Sequence, residues 1–100
     1  MTVEVDPQGY ETDALFSLAD FTGRRVLEIG SGDGRLTWRY AHRAGRVTTV
    51  EPFQPAFERA TADLPADLRD RVTLHSATFE DLAGSSLPSL FDLVFLSWAL

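Results

Sequence analysis

The chain has 100 residues, 44% of them hydrophobic, so it can bury one modest core and we expect a single domain. Fifteen acidic residues against nine basic ones give a formal net charge of −6, which argues against a surface for nucleic acid or an anionic membrane. With no cysteine and only two histidines, no disulfide and no metal site are expected.

Hydropathy excludes a membrane-spanning segment, because no apolar run approaches the ~20 residues needed to cross a bilayer. The first residues also lack the basic-then-apolar order of a secretion signal, so we expect a cytoplasmic protein.

Short apolar runs alternate with helical patterns along the chain. Residues 1–9 contain Pro7 and Gly9 and are expected to form a loose arm. The patterns predict helices near residues 15–19, 34–44 and 56–63, a helical turn at 79–83, and strands at 25–29, 46–51, 71–75 and 91–96. This alternation predicts a layered α/β fold with a mostly parallel sheet.

A glycine-rich loop follows the first predicted strand. Gly30, Gly32 and Gly34 alternate between that strand and the next helix. Glycine lets the backbone turn sharply and lets a nucleotide-like ligand lie against main-chain atoms. The same pattern is also compatible with a tight turn that binds nothing.

The charges around the loop favour one cofactor class. A dinucleotide-binding loop would have glycine at the position of Arg35, and Glu28 would lie close to the negative pyrophosphate. S-Adenosyl-L-methionine has no phosphate and carries an ammonium and a sulfonium group, which a nearby carboxylate can accommodate. The pattern therefore favours the sulfonium cofactor.

The segment Val26–Gly34, an apolar strand with an acidic residue and a Gly-x-Gly-x-Gly loop, resembles the first motif of the class I S-adenosylmethionine-dependent methyltransferases. The resemblance implies that the loop, including Ser31, lies beside the methionine part of the cofactor. It also implies that Glu28 helps to hold the cofactor's amino group. An alternative for Glu28 is an acid that only organises the loop.

A second acid follows the second predicted strand. Glu51 lies about 20 residues after the glycine turn begins, where a carboxylate can accept hydrogen bonds from both ribose hydroxyls, and the family has an acid with this task. Pro52 and Phe53 can then flank the adenine ring, although Phe53 is equally well explained as a core residue.

Two further segments are similar to parts of the same family. Residues 77–82 resemble the segment that borders the adenine, which places Thr78 and Phe79 there. Thr78 stands where the family has an acid, a role that Glu80 or Asp81 can also fill. The fourth predicted strand resembles the one whose carboxyl end faces the transferred methyl group, which places Ser97 near it. No residue is identified as a catalytic base.

The resemblance implies a Rossmann-like sheet in which the predicted strands, numbered along the chain, have the order 3-2-1-4. A complete family domain has seven strands, so we expect a domain truncated after strand four. That strand would be an edge, covered by a missing carboxyl-terminal part, a partner chain or a second copy.

The leading hypothesis is an S-adenosylmethionine-dependent methyltransferase acting on a small-molecule acceptor. A second is a truncated, non-catalytic domain that serves as a cofactor-binding or partner subunit. A third is an aminopropyl transferase or a nicotinamide-dependent oxidoreductase on the same scaffold, the latter disfavoured by Glu28 and Arg35.

Overall fold

A computed structural model of the chain describes residues 2–5, 20–78, 80–81 and 90–97. The helix expected near residues 15–19, most of the helical turn expected at 79–83, and Phe79 lie outside these ranges. Among the described residues, no helix has the length and apolar character needed to cross a bilayer.

The described residues form one parallel sheet with helical connections. Its strands are β1 (Thr2–Val5), β2 (Arg25–Ile29), β3 (Arg46–Val50), β4 (Val72–His75) and β5 (Leu93–Ser97), in the order β1-β5-β2-β3-β4. The helices are α1 (Arg35–Ala41) and α2 (Gln54–Asp63), and a short 3-10 helix spans Ala66–Leu68. The layered α/β fold and the order of the four predicted strands are confirmed, because β4, β3, β2 and β5 lie side by side.

The amino terminus differs from the prediction. Thr2–Val5 is a strand that pairs with β5, with Val3 opposite Phe95, so the expectation of a loose arm is wrong for these four residues. Two valines and a threonine have strand propensity, and the unpaired backbone groups along β5 provide the partner. As a result β5 is not an edge strand in this structure.

The core lies on both faces of the sheet. Val26 and Leu27 are adjacent in β2, so their side chains point to opposite faces, and both are completely buried. On the Val26 face, the Tyr40 ring of α1 stacks on Phe21 with centroids 4.6 Å apart. Leu27 packs with Val50 on the other face. Glu28 shares the face of Val26, and its side chain is therefore directed towards α1.

An ion pair aligns β2 with β5. The carboxylate of Asp92 accepts hydrogen bonds from the backbone N–H of Arg25 (2.9 Å) and from its guanidinium Nη2 (2.9 Å). The backbone N–H of Asp92 donates in return to the Arg25 carbonyl at 2.8 Å. These bonds lower the pKa of Asp92 to about 2, the guanidinium hydrogen bond contributing most.

We predict that Asp92 titrates with a midpoint of about 2 in an NMR pH titration. Because its pKa is depressed in the folded state, its contribution to stability is present above the unfolded pKa and is lost as the pH falls through the folded value. An Arg25→Ala variant should raise the midpoint towards the ordinary 3.8, whereas Arg59→Ala, which removes an unrelated exposed ion pair with Asp63, should leave it unchanged. An unchanged midpoint in Arg25→Ala would contradict this assignment.

Candidate functional site

The glycine loop runs from the end of β2 into α1. Gly30, Gly32 and Gly34 have φ angles of +78°, +61° and +89°, a left-handed region that residues with side chains rarely adopt. A Cβ atom on Gly30 would lie 2.5 Å from the backbone oxygen of Ser97, and one on Gly34 would overlap the indole of Trp38. The glycines are therefore required by the fold itself, whether or not a ligand binds.

We predict that Gly30→Ala destabilises the fold more than Gly23→Ala does. Gly23 has a similar φ of +69°, but a Cβ atom there would have no neighbour within 4 Å, so alanine should lower the free energy of unfolding by about 1–2 kcal/mol through backbone strain alone. Alanine at Gly30 adds the overlap with the Ser97 backbone, which should lower it by roughly 1–3 kcal/mol more. Equal losses in urea unfolding would show that this close approach does not matter.

Glu28 is completely buried below the loop. Its Oε1 accepts hydrogen bonds from Thr37 Oγ1 (2.5 Å) and from the Tyr40 hydroxyl (2.8 Å), both on α1. Its Oε2 lies 2.6 Å from the hydroxyl oxygen of Ser97 on β5. Burial raises the pKa of Glu28, as does the nearby charge of Glu51 to a smaller extent, while the three hydroxyl hydrogen bonds oppose the rise.

The predicted contact between Glu28 and the amino group of a cofactor stays a prediction. In this structure α1 and β5 enclose the Glu28 carboxyl group, and three hydroxyls take the place of water around it. The alternative, an acid that organises the loop, agrees with this geometry. Thr37 and Tyr40 are not predicted from the sequence as partners of Glu28, although hydroxyl groups three residues apart lie on one helix face and are a usable signal.

Glu51 directly follows β3 and is only 7% exposed. Its Oε1 accepts a hydrogen bond from the Gly32 N–H at 2.7 Å, and its Oε2 accepts one from the Phe53 N–H at 2.9 Å. An ionised carboxylate has about four acceptor positions, so these two bonds leave each oxygen able to accept another. Glu51 thus connects the glycine loop to the segment after β3.

The residues after Glu51 present an apolar surface beside it. Pro52 is exposed, and the Phe53 side chain is 64% exposed, an unusual state for a large aromatic residue. The structure therefore favours the interpretation of Phe53 as a surface residue over its interpretation as core. Ser31, within the loop, is 8% exposed.

Ser97 joins this group of residues, whereas Thr78 does not. The Ser97 hydroxyl lies 2.9 Å from the Gly30 carbonyl oxygen in addition to its contact with Glu28. Thr78 exchanges hydrogen bonds with Asp81 in a capping box, since the Thr78 N–H donates to Asp81 Oδ2 (3.2 Å) and the Asp81 N–H donates to Thr78 Oγ1 (3.1 Å). The Asp81 carboxylate is thereby engaged locally, and Glu80 is exposed.

The site contains no metal-binding group in the part of the chain that the structure describes, where no three histidine, aspartate or glutamate side chains converge to hold an ion. The polar groups that converge are the two carboxyl groups, the loop amides and the hydroxyls of α1 and β5. Of these groups Glu51 lies next to the exposed Pro52 and Phe53, and together these three residues can hold a ligand that offers hydroxyl donors and a flat apolar ring.

Comparison with known proteins identifies relatives of this arrangement. Residues 26–100 match the family model described as a methyltransferase domain. The chain is 27% identical over 88 residues to phosphoethanolamine N-methyltransferase 1 of Triticum aestivum, covering 88% of this chain and 18% of that enzyme. It is 34% identical over 64 residues to magnesium-protoporphyrin O-methyltransferase of Rhodobacter capsulatus, covering 64% of this chain and 29% of that enzyme.

Among solved structures, the chain is similar to an RNA methyltransferase from Salinibacter ruber in complex with S-adenosyl-L-homocysteine. The TM-score is 0.72 at 25% identity, over 92% of this chain and 60% of that one. By contrast, the chain spans less than a third of the length of each of the two curated relatives named above. These relatives are named as methyltransferases of small molecules and of RNA, so their names do not define one class of acceptor.

Proposed function

Because the chain belongs to the methyltransferase-domain family, we propose that it binds S-adenosyl-L-methionine and forms the cofactor-binding half of a methyltransferase that acts on a small-molecule acceptor. The observation that carries this proposal is the hydrogen bond between the Gly32 N–H and Glu51, which holds the glycine loop and the acid at one edge of the sheet. The cytoplasmic location expected from the sequence stays a prediction.

Glu51 and its neighbours suit the adenosine part of the cofactor. Each oxygen of Glu51 already accepts one backbone N–H and retains acceptor capacity, which suits the two hydroxyls of a ribose. Phe53 and Pro52 offer an exposed apolar surface next to this carboxylate, and an adenine ring would bury part of it. We therefore assign the ribose to Glu51 and the adenine to Pro52 and Phe53.

The glycine loop suits the methionine part. Gly30, Gly32 and Gly34 present backbone atoms without side chains, so a ligand can approach the main chain closely. Ser31 and Ser97 border the loop, and Ser97 marks the carboxyl end of β5. Glu28 contributes from below by holding α1 and β5 around the loop.

Thr78 and Phe79 remain proposed neighbours of the adenine. Thr78 Oγ1 accepts the Asp81 N–H, which leaves its own O–H available as a donor. This hydroxyl can serve a ring nitrogen acceptor, a weaker interaction than the carboxylate expected at this position would make with an amino group. Phe79 is proposed from the family resemblance alone.

The bound cofactor supplies an electrophilic methyl group on a sulfonium. The protein's tasks are to orient that group towards the acceptor, to exclude water and, where the acceptor requires it, to remove a proton. Glu51 and the loop perform the first task by fixing the ribose and the methionine part. We assign no residue to proton removal.

We predict that isothermal titration calorimetry with S-adenosyl-L-homocysteine shows micromolar binding to the parent chain. Glu51→Ala should weaken it by about 10–100-fold, because hydrogen bonds to a charged group contribute roughly 1.5–3 kcal/mol. Glu58→Ala is the matched control, since Glu58 is an exposed acid on α2 whose hydrogen bond comes from Gln54, and it should bind like the parent. Equal affinity of the Glu51 variant and the control would refute the ribose assignment.

Glu51→Ala also removes two backbone contacts, so a loss of binding could follow from partial unfolding. Phe53→Ala separates the two effects, because Phe53 is 64% exposed and its removal should leave the unfolding midpoint unchanged. We expect it to weaken binding by roughly 3–10-fold through lost ring contact. Leu90→Ala, at a residue 50% exposed, should change neither property. A folded parent that binds nothing would instead favour the alternative of a non-catalytic partner subunit.

A further inference from the structure

The Ser97 hydroxyl has too few protons for its two contacts if Glu28 is ionised. Ser97 Oγ lies 2.6 Å from Glu28 Oε2 and 2.9 Å from the Gly30 carbonyl oxygen. A carboxylate and a carbonyl both only accept hydrogen bonds, whereas a serine hydroxyl carries a single proton. One of these two short oxygen pairs would then have no proton between the two atoms, and two oxygens at that distance repel each other.

A proton on Glu28 Oε2 satisfies every contact. The carboxyl O–H donates to Ser97 Oγ, and the Ser97 O–H donates to the Gly30 carbonyl. The other carboxyl oxygen, Oε1, accepts from Thr37 and Tyr40, which a carbonyl-type oxygen with two lone pairs can do.

The surroundings of Glu28 contain no compensating positive charge in the part of the chain that the structure describes. Thr37 and the phenol of Tyr40 face it from α1, Ser97 faces it from β5, and the titratable group that faces it from the end of β3 is the acid Glu51. Its hydrogen-bond partners in the described ranges are therefore all hydroxyls. A fully buried carboxylate without a cation is strongly disfavoured relative to its neutral form. The burial and the proton count thus agree.

We propose that Glu28 is a neutral carboxyl group in the folded protein near neutral pH, and that it positions the glycine loop by donating to Ser97, which donates to Gly30. If Glu28 were ionised, the Ser97 O–H would donate to the carboxylate instead, and the Gly30 carbonyl would lose its hydrogen bond from Ser97. Glu28 is thus a positioning residue. The protonation of Glu28 does not depend on the proposed function; only the cofactor-binding role of the loop does.

Carbon-13 NMR of chains labelled at the glutamate Cδ tests the protonation directly. The sequence has six glutamates, and the Glu28 signal is assigned as the one missing from Glu28→Gln. We expect this signal at the position of a neutral carboxyl group at about pH 7, where ordinary glutamates have ionised. In a second sample, labelled at the glycine carbonyl carbon, the Gly30 signal should titrate with the same midpoint as Glu28. A Glu28 signal that titrates near the ordinary 4.5 would overturn the proposal, as would a Gly30 signal that does not follow it.

The pH dependence of unfolding provides a second, independent test. Because the pKa of Glu28 is higher in the folded than in the unfolded protein, the stabilising effect of the neutral group is complete below the unfolded pKa. It declines as the pH rises through the folded pKa. Glu28→Gln keeps both acceptor and donor, since its amide oxygen accepts from Thr37 and Tyr40 and its N–H donates to Ser97. It should therefore remove this decline, while Glu28→Ala should lower stability at every pH.

Glu58→Gln, at an exposed acid, is the control and should retain the decline of the parent. A parent whose stability is constant over this range, together with a Glu28→Gln variant that is destabilised at neutral pH, would show that Glu28 is ionised. Neither test uses the cofactor, so failure to bind S-adenosyl-L-homocysteine would count against the proposed function and not against the neutral state of Glu28.

Discussion

Parallel pairing of β2 with both β3 and β5 is the constraint on which the site depends. It brings the carboxyl ends of three strands to one edge of the sheet, where the glycine loop, Glu51 and Ser97 meet. The left-handed glycines let the loop pass within hydrogen-bonding distance of both neighbouring strand ends. A change in the register of either strand would separate the loop from the groups that hold it.

The two acids of the site have different tasks because their environments differ. Glu51 accepts hydrogen bonds from two backbone N–H groups and retains acceptor capacity towards a ligand. Glu28 is completely buried, which favours the neutral form, while the hydrogen bonds with three hydroxyls oppose this effect. Under the proposed function, contact with the ribose would therefore depend on Glu51, and the shape of the loop on Glu28.

Local sequence patterns predict the central strands because each is a short apolar run bounded by a turn. They predict β1 wrongly because Thr2–Val5 is short and gains its stability from pairing with β5, a contact distant in sequence. The second of the described helices begins at Gln54, two residues before the predicted start, and Pro55 lies in its first turn, where its missing N–H has no helical partner to lose. The burial of Glu28 depends on α1 and β5 together, so its sequence position alone does not predict that three hydroxyls enclose it.

Whether the loop and Glu51 form one cofactor site is tested most directly by backbone ¹H–¹⁵N NMR during titration with S-adenosyl-L-homocysteine. We expect the largest shift changes at the amides of Gly30, Gly32, Gly34 and Phe53, and none at Arg43 or Gly45, which lie at the opposite edge of the sheet, before β3 begins. Saturable changes confined to the first set would support a preformed site. A folded chain whose loop and Phe53 amides do not respond, or that responds only elsewhere, would contradict it.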